Sequence, residues 1–149
     1  MKESGITIRH SIFIAKPREV VWDYSQNYDN RTLWDPSVLE ATVLQSTPNR
    51  IVKLKMRGNT TMTFVYKLDE RPVKTTLIAK EVNSAIIERA GGSWSYEEKN
   101  DGTLWTQTNS IESKNNFFAK AIFPLLKLIL VRQTKQAMKN LKNILEATD

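Results

Sequence analysis

Hydrophobic and polar residues alternate along most of the chain, and helical spacing replaces the alternation only near its end. The first alternating run, from Ile6 to Ile14, places isoleucines and His10 on one face, which predicts a strand with one apolar side. The same pattern predicts six further strands, at 38–45, 51–57, 60–70, 74–83, 86–100 and 103–112. Within 86–100, Gly91-Gly92 predicts a bulge or sharp bend.

Two short helical segments are predicted between the first and second strands. Pro17 suits a first helical position, and the helix it opens ends around Gln26 with Val20, Val21 and Tyr24 facing inward. A second short turn over 29–33 leads to Pro36, which returns the chain to an extended path.

The last helix is predicted over 116–147, with Asn115 or Asn116 as its cap. Its first half, 117–131, is apolar on nearly every side, which predicts burial on more than one side and an enclosed position. The second half carries a one-sided apolar stripe and is expected to lie on a surface. Pro124 predicts a bend or break.

One strand, two small helices, six consecutive strands and one long helix are typical of an α+β domain with an antiparallel sheet. We expect a single domain over 1–149. If glycines and bulges curve the sheet strongly, the closing helix cannot fill its concave side. The pattern therefore predicts a cavity between sheet and helix.

Composition excludes several kinds of site. The chain has no cysteine and one histidine, which leaves no disulfide, thiolate metal site, cysteine nucleophile or multi-histidine metal site. No Gly-rich phosphate loop is present, and we expect neither a metal nor a cofactor. The net charge of +6 is spread along the chain, so nucleic-acid binding is not expected. The first ten residues lack a signal-peptide pattern, and we expect a cytoplasmic location.

Several motifs, in this order and spacing, resemble the SRPBCC superfamily, also called START-like or helix-grip. They are IAKPREVVW at 14–22, Trp34-Asp35-Pro36, Asp101-Gly102-Thr103 and LKNILE at 141–146. The resemblance spans essentially the whole chain and is greatest to the polyketide cyclase/dehydrase-like group. It implies a curved seven-stranded antiparallel sheet wrapped around a long C-terminal helix, two short helices after the first strand, and a deep hydrophobic cavity. Members bind lipids, sterols, plant hormones, polyketides or isoprenoid quinones; a few cyclise or dehydrate polyketides, and others are co-chaperones of a heat-shock ATPase.

Alternation and helical spacing select the side chains expected to face the cavity and bind a ligand. They are His10, Met62, Phe64, Tyr66, Trp94, Tyr96, Trp105, Gln107, Asn109, Phe118, Ile122, Leu125 and Ile129. For each residue alone, the alternative is that it fills the core. The sequence leaves open whether Trp94 and Trp105 line a cavity or fill it.

Three functions remain open from the sequence. The first is non-catalytic binding of a hydrophobic small molecule that is lipid-like, isoprenoid or aromatic and polyketide-like. The second is a cyclase or dehydratase, without metal or cofactor, in which His10 or a tyrosine such as Tyr66 or Tyr96 moves a proton. The third is an adaptor that uses 117–131 on a membrane surface or protein partner, which the nearby lysines favour. A core helix is the preferred interpretation of this segment.

Overall fold

The sheet contains seven strands, and all neighbouring strands are antiparallel. A computed structural model describes residues 5–148. The strands are β1 (Gly5–Ile14), β2 (Val38–Gln45), β3 (Ile51–Met56), β4 (Thr60–Glu70), β5 (Lys74–Asn83), β6 (Ile87–Lys99) and β7 (Gly102–Ser113). Their order across the sheet is β1-β7-β6-β5-β4-β3-β2. Each predicted strand is present with ends within one residue of the predicted ones, which confirms the interpretation of the alternation.

The helices are α1 (Arg18–Gln26), α2 (Arg31–Trp34) and α3 (Phe117–Glu146), with a 3-10 turn at Tyr28–Asn30 before α2. Asn116 is the cap of α3, because its side-chain oxygen accepts a 2.8 Å bond from the Ala119 N–H. The arrangement is the helix-grip fold that the resemblance implied. In α1, Val21 is buried and Tyr24 packs partly buried against the core, as predicted, but Val20 is exposed. Trp22, Ser25 and Gln26 complete the buried face.

The bulge predicted at Gly91-Gly92 lies elsewhere. β6 pairs with β7 without interruption through both glycines, and the register shifts between Ile87 and Arg89. A Cβ on Gly92 would lie 2.6 Å from Asn109 Oδ1 and from Thr108 O. The glycine is needed for close strand approach and not for a bend.

The two halves of α3 are buried in the opposite way to the prediction. Ala137, Met138, Leu141 and Leu145 in the second half are buried, while much of the first half is exposed. The helix is continuous through Pro124, so the predicted break is absent. Within residues 5–148, no helix is both long and apolar enough to cross a membrane.

Two clusters of buried residues form the core. The larger joins α1, α2, β6, β7 and the second half of α3 and includes Trp34, Trp105, Met138 and Leu141. The smaller consists of Tyr28, Val38, Val52, Leu54 and Tyr66. The first half of α3 contributes to neither cluster. The helix and the sheet are therefore not closely packed against each other there.

Candidate ligand cavity

A cavity of about 380 Å³ lies between the concave face of the sheet and α3. Its lining is mainly apolar and comes from β1, the 3-10 turn, α2, β3 to β7, and α3, with Leu54, Met62 and Phe64 on the sheet and Leu126 and Leu130 on the last helix. The exposed Arg57 and Gly58 also belong to the lining, so the cavity reaches the surface near the β3–β4 turn. Its volume lies in the range of about 300–1,000 Å³ typical of small-molecule sites.

The strand pairing explains why the sheet leaves this volume open. β5 pairs with β6 only where Lys74–Ile78 meets Gly91–Ser95. Beyond that point β5 continues to Asn83 beside β4, while the start of β6 pairs with β7 alone. The two halves of the sheet diverge there, and Ser84, Ile86 and Ile87 line the cavity at the divergence.

The buried polar group of the lining is an ion pair between Arg31 and Asp35, one helical turn apart. Arg31 Nε donates a 2.8 Å bond to Asp35 Oδ2, and Asp35 Oδ1 accepts bonds from the Ser37 N–H and hydroxyl. Burial, the largest single influence, lowers the pKa of Arg31, but the charge and hydrogen bond of Asp35 together with Tyr28 and Tyr66 outweigh it and raise the pKa above its ordinary value. Arg31 therefore stays charged inside the cavity wall.

The guanidinium of Arg31 also lies against three aromatic rings. Its central carbon is 5.4 Å from the ring centre of Tyr28, 5.0 Å from that of Trp34 and 5.1 Å from that of Trp94. These distances suit cation–π attraction. Among residues 5–148, the two terminal nitrogens of Arg31 have no hydrogen-bond partner, so their N–H groups are available to a ligand.

Two amide side chains on β7 form the second polar part of the lining. Asn109 Nδ2 donates a 3.1 Å bond to Gln107 Oε1, and Trp94 Nε1 donates a 3.4 Å bond to Asn109 Oδ1. Gln107 is 4 % exposed, and its Nε2 has no partner in the described part of the chain. Arg31 and Gln107 thus supply donors that a ligand oxygen or a water molecule can accept from.

The structure brings some of the predicted residues into the cavity and leaves others outside. Those that line it are Met62, Phe64, Trp94, Gln107, Asn109 and Ile129. Those that do not are His10, Tyr66, Tyr96, Trp105, Phe118, Ile122 and Leu125, which corrects the expectation that they face it. Ligand contact by the first group stays a prediction.

Tyr66 and Tyr96 are buried against α1 and the 3-10 turn, which close one end of the sheet. The Tyr96 hydroxyl is 2.7 Å from Ser25 Oγ and accepts a 2.8 Å bond from Gln26 Nε2. The Tyr66 hydroxyl bonds to the Tyr28 hydroxyl and to Gln26 Oε1. Burial raises the pKa of both tyrosines, so their side chains are neutral and held in place as structural groups.

Trp94 and Trp105 have different roles in the same aromatic cluster. Trp94 lines the cavity, whereas Trp105 is fully buried behind it, 5.5 Å away between ring centres. Trp34 packs edge-on against both rings. The sequence left open whether these two tryptophans line the cavity or fill it. In the structure Trp94 lines the cavity and Trp105 fills the core.

On α3, the predicted cavity face is displaced by about one residue. Leu126, Ile129, Leu130, Gln133 and Ala137 line the cavity at spacings of three and four. Phe118 and Leu125 are 59 % and 56 % exposed, beyond Ile129 at the edge of this face. A segment that is apolar all round gives no signal for which side faces inward, so only packing could select it.

Sequence reasoning missed Arg31 and Asp35 as site residues. Asp35 is part of the Trp34-Asp35-Pro36 motif, and Arg31 lies four residues before it. A signal was present, since an i, i+4 arginine–aspartate pair next to tryptophan in a short buried helix is suited to a paired internal charge.

His10 lies beside α3, outside the cavity lining. It is partly buried between Ile8 and Ile12 on β1. Burial and the nearby Lys135 charge lower the pKa of His10 below 6.5. This position favours the alternative that His10 is a packing residue between sheet and helix.

The pKa of His10 is testable because the chain has no other histidine. We expect an NMR titration to give a pKa below 6.5, and Lys135→Gln to raise it without reaching 6.5, because burial remains. Since the unfolded chain takes up this proton first, His10 should make the fold less stable as pH falls below about 6.5. Lys139→Gln, one turn further along α3, is the control and should leave the pKa unchanged. A pKa at or above 6.5 in the unmodified protein would contradict the placement.

Comparison with known proteins agrees with this geometry. A family model described as polyketide cyclase/dehydrase and lipid transport matches residues 5–146. The fold is similar to that of a protein from Thermus thermophilus, with a TM-score of 0.82, 15 % identity, and coverage of 97 % of this chain and 100 % of the other. No curated protein matches the chain in sequence.

Two further solved structures share the fold. The Zhui aromatase/cyclase of a Streptomyces species aligns with a TM-score of 0.82 at 15 % identity, covering 95 % of this chain and 94 % of the other. A START superfamily protein from Mycobacterium smegmatis aligns with a TM-score of 0.77 at 12 % identity, covering 95 % and 97 %. At these identities the similarity shows the fold alone, and the function of the cavity must be argued from its own residues.

Proposed function

We propose that this chain, which belongs to the polyketide cyclase/dehydrase and lipid transport family, binds a hydrophobic small molecule between its sheet and α3. One observation carries the proposal: the cavity of about 380 Å³ has mainly apolar walls and a buried arginine with unused donors. Apolar walls with a few fixed polar groups are typical of sites that bury a ligand and orient it.

The lining favours one class of ligand. Its charged residues are the paired Arg31 and Asp35 and, at the mouth of the cavity, the exposed Arg57. Arg31 presents its free N–H groups among aromatic rings, where they would meet a carboxylate or carbonyl oxygen. The ligand is thus a lipid-like, isoprenoid or polyketide-like molecule with an apolar body and an oxygen-bearing head group, preferably a carboxylate.

Binding without chemistry is the form of the proposal that the lining supports best. Asp35 already accepts bonds from Arg31 and Ser37, and the Tyr28 hydroxyl is bonded to Tyr66. His10, Tyr66 and Tyr96, the groups considered for proton transfer, do not line the cavity, so none of them would contact a ligand bound there. A cyclase or dehydratase is the alternative, favoured by the family description.

The cytoplasmic location and the single domain over 1–149 stay predictions from the sequence.

The first test is native mass spectrometry of freshly purified protein, followed by titration with fatty acids, sterols and quinones. We expect either a co-purified adduct or quenching of tryptophan fluorescence, because Trp94 lines the cavity. Leu130→Trp should weaken binding by at least about tenfold, because extra volume at a lining position competes with the ligand.

Leu128→Trp is the matched control. Leu128 lies two residues away on the same helix but is 58 % exposed, so the same substitution should leave binding unchanged. Thermal unfolding of both variants verifies that they fold. No adduct and no binding by any member of the panel would overturn the proposal, as would equal loss in both variants.

A further inference from the structure

The first half of α3 exposes a row of large apolar side chains. Phe117 is 88 % exposed, Phe118 59 %, Leu125 56 % and Leu128 58 %. Phe118, Leu125 and Leu128 recur at spacings of seven and three, so they lie on one side of the helix. We call these four residues the apolar helix face. Folded monomers rarely leave such a set of neighbouring apolar groups in water unless it contacts a partner.

The charge on the same helix is almost entirely of one sign. Its cations are Lys120, Lys127, Arg132, Lys135, Lys139 and Lys142, and its one anion is Glu146, which pairs with Lys142. Lys120 and Lys127 lie within the apolar half, and Arg132, Lys135 and Lys139 follow it directly. Exposed apolar residues next to cations complement an anionic lipid surface, where apolar groups enter the interface and cations contact head groups.

The apolar helix face lies directly over the cavity. Leu126 and Leu130 line the cavity from the inner side of this segment, while Leu125 and Leu128 point outward. Ile129 lies at the edge between the two, because it lines the cavity and is also 42 % exposed. The main contacts of α3 are with β1, α2 and β7, and only Ala119 and Phe123 are buried in its first half. The wall between cavity and surface is therefore one helix thick and lightly packed.

We propose that the apolar helix face docks the protein onto an anionic lipid bilayer. Phe117, Phe118, Leu125 and Leu128 insert at the interface, and the lysines of the same helix contact anionic head groups. Docking places the helical wall of the cavity against the bilayer, which is the phase that dissolves an apolar molecule of the class proposed above. The docking itself does not depend on the cavity being occupied.

The test is sedimentation with vesicles of phosphatidylcholine alone and of phosphatidylcholine with about one-third phosphatidylglycerol. We expect binding to the anionic vesicles, weaker binding to the neutral ones, and loss of binding as salt rises from about 0.15 M to about 0.5 M. Phe118→Ser/Leu125→Ser should weaken binding by at least about tenfold, because both side chains leave water on docking. Lys120→Gln/Lys127→Gln should reduce the preference for anionic vesicles.

The matched control is Leu39→Ser/Leu44→Ser, which removes two exposed leucines, 47 % and 55 % exposed, from β2. It should bind vesicles as the unmodified protein does. Binding of a fluorescent fatty acid in solution should survive Phe118→Ser/Leu125→Ser, which separates failure of docking from failure of the cavity. Absence of vesicle binding, or undiminished binding by Phe118→Ser/Leu125→Ser, would overturn the proposal. A concentration-dependent dimer that the same variant abolishes, with no vesicle binding, would assign the face to a second copy of the chain and overturn it too.

Discussion

Replacing Trp105 by alanine should lower the free energy of unfolding by about 3–5 kcal/mol, the usual cost of truncating a buried aromatic residue. Trp105 is fully buried, and its ring centre lies 5.6 Å from Trp34 and 6.2 Å from Tyr96. Within residues 5–148 its indole nitrogen has no hydrogen-bond partner, so the loss comes from packing and not from a broken bond. Urea unfolding followed by circular dichroism measures the change.

Two comparisons make this result specific. Trp105→Phe should cost less than the alanine variant, because most of the ring is kept and an unsatisfied buried N–H group is removed. Phe117→Ala removes a ring that is 88 % exposed and should change the stability by no more than about 0.5 kcal/mol. A loss below about 1 kcal/mol for Trp105→Ala would mean that the aromatic cluster is not the centre of the core.

Arg31 should make the protein prefer a ligand with a carboxylate head group, and this is the second large effect that we expect. We expect the unmodified protein to bind a fatty acid about ten- to a hundredfold more tightly than its methyl ester, because hydrogen bonds to charged groups contribute about 1.5–3 kcal/mol. The double variant Arg31→Met/Asp35→Asn should bind both equally. Removing both charges avoids leaving Asp35 buried without its partner, the change that destabilises most. The ratio of the two dissociation constants is the measurement, and it is insensitive to a general loss of affinity.

Asp35→Asn and Arg57→Gln are the controls for this experiment. Asp35→Asn keeps the Arg31 donors and an acceptor for Ser37, so the preference for the acid should persist or increase. Because this variant leaves the buried Arg31 without its partner charge, thermal unfolding must verify that it folds. Arg57 is exposed at the cavity mouth and bonds to the Pro36 carbonyl, so its removal should change the ratio little. If Arg31→Met/Asp35→Asn still prefers the acid to its methyl ester as strongly as the unmodified protein does, a group other than Arg31 binds the head group.

The strands were predictable because each has one apolar and one polar side. The alternation in β1 and β4 indicated both the element and its inward face. The faces were right even where the cavity contacts were wrong: Tyr66 and Tyr96 point to the buried side. Their position along the strand brings them to α1 instead of the cavity, and that depends on where a distant helix docks.

For α3 the length and the cap were predictable, but the buried side was not. From 117 to 131 the apolar residues surround the helix, so periodicity indicates burial without selecting a direction. In the folded chain the second half packs on β1 and α2, and the first half passes over the cavity with one side in water. The enclosed position predicted for Phe118 and Leu125 was therefore wrong, and the same error concealed the face that we assign to a bilayer.

Local periodicity and turn residues were enough to specify the element order, the antiparallel sheet and the expectation of a cavity. Which residues meet inside that cavity depends on contacts between distant parts of the chain. The divergence of β5 from β6 opens the volume, and the docking of α2 brings Arg31 against Trp94, a residue of β6 far along the sequence. A short stretch of sequence specifies which side of an element is apolar. Which other element packs on that side depends on contacts with residues far away in the sequence, so a short stretch alone does not determine it.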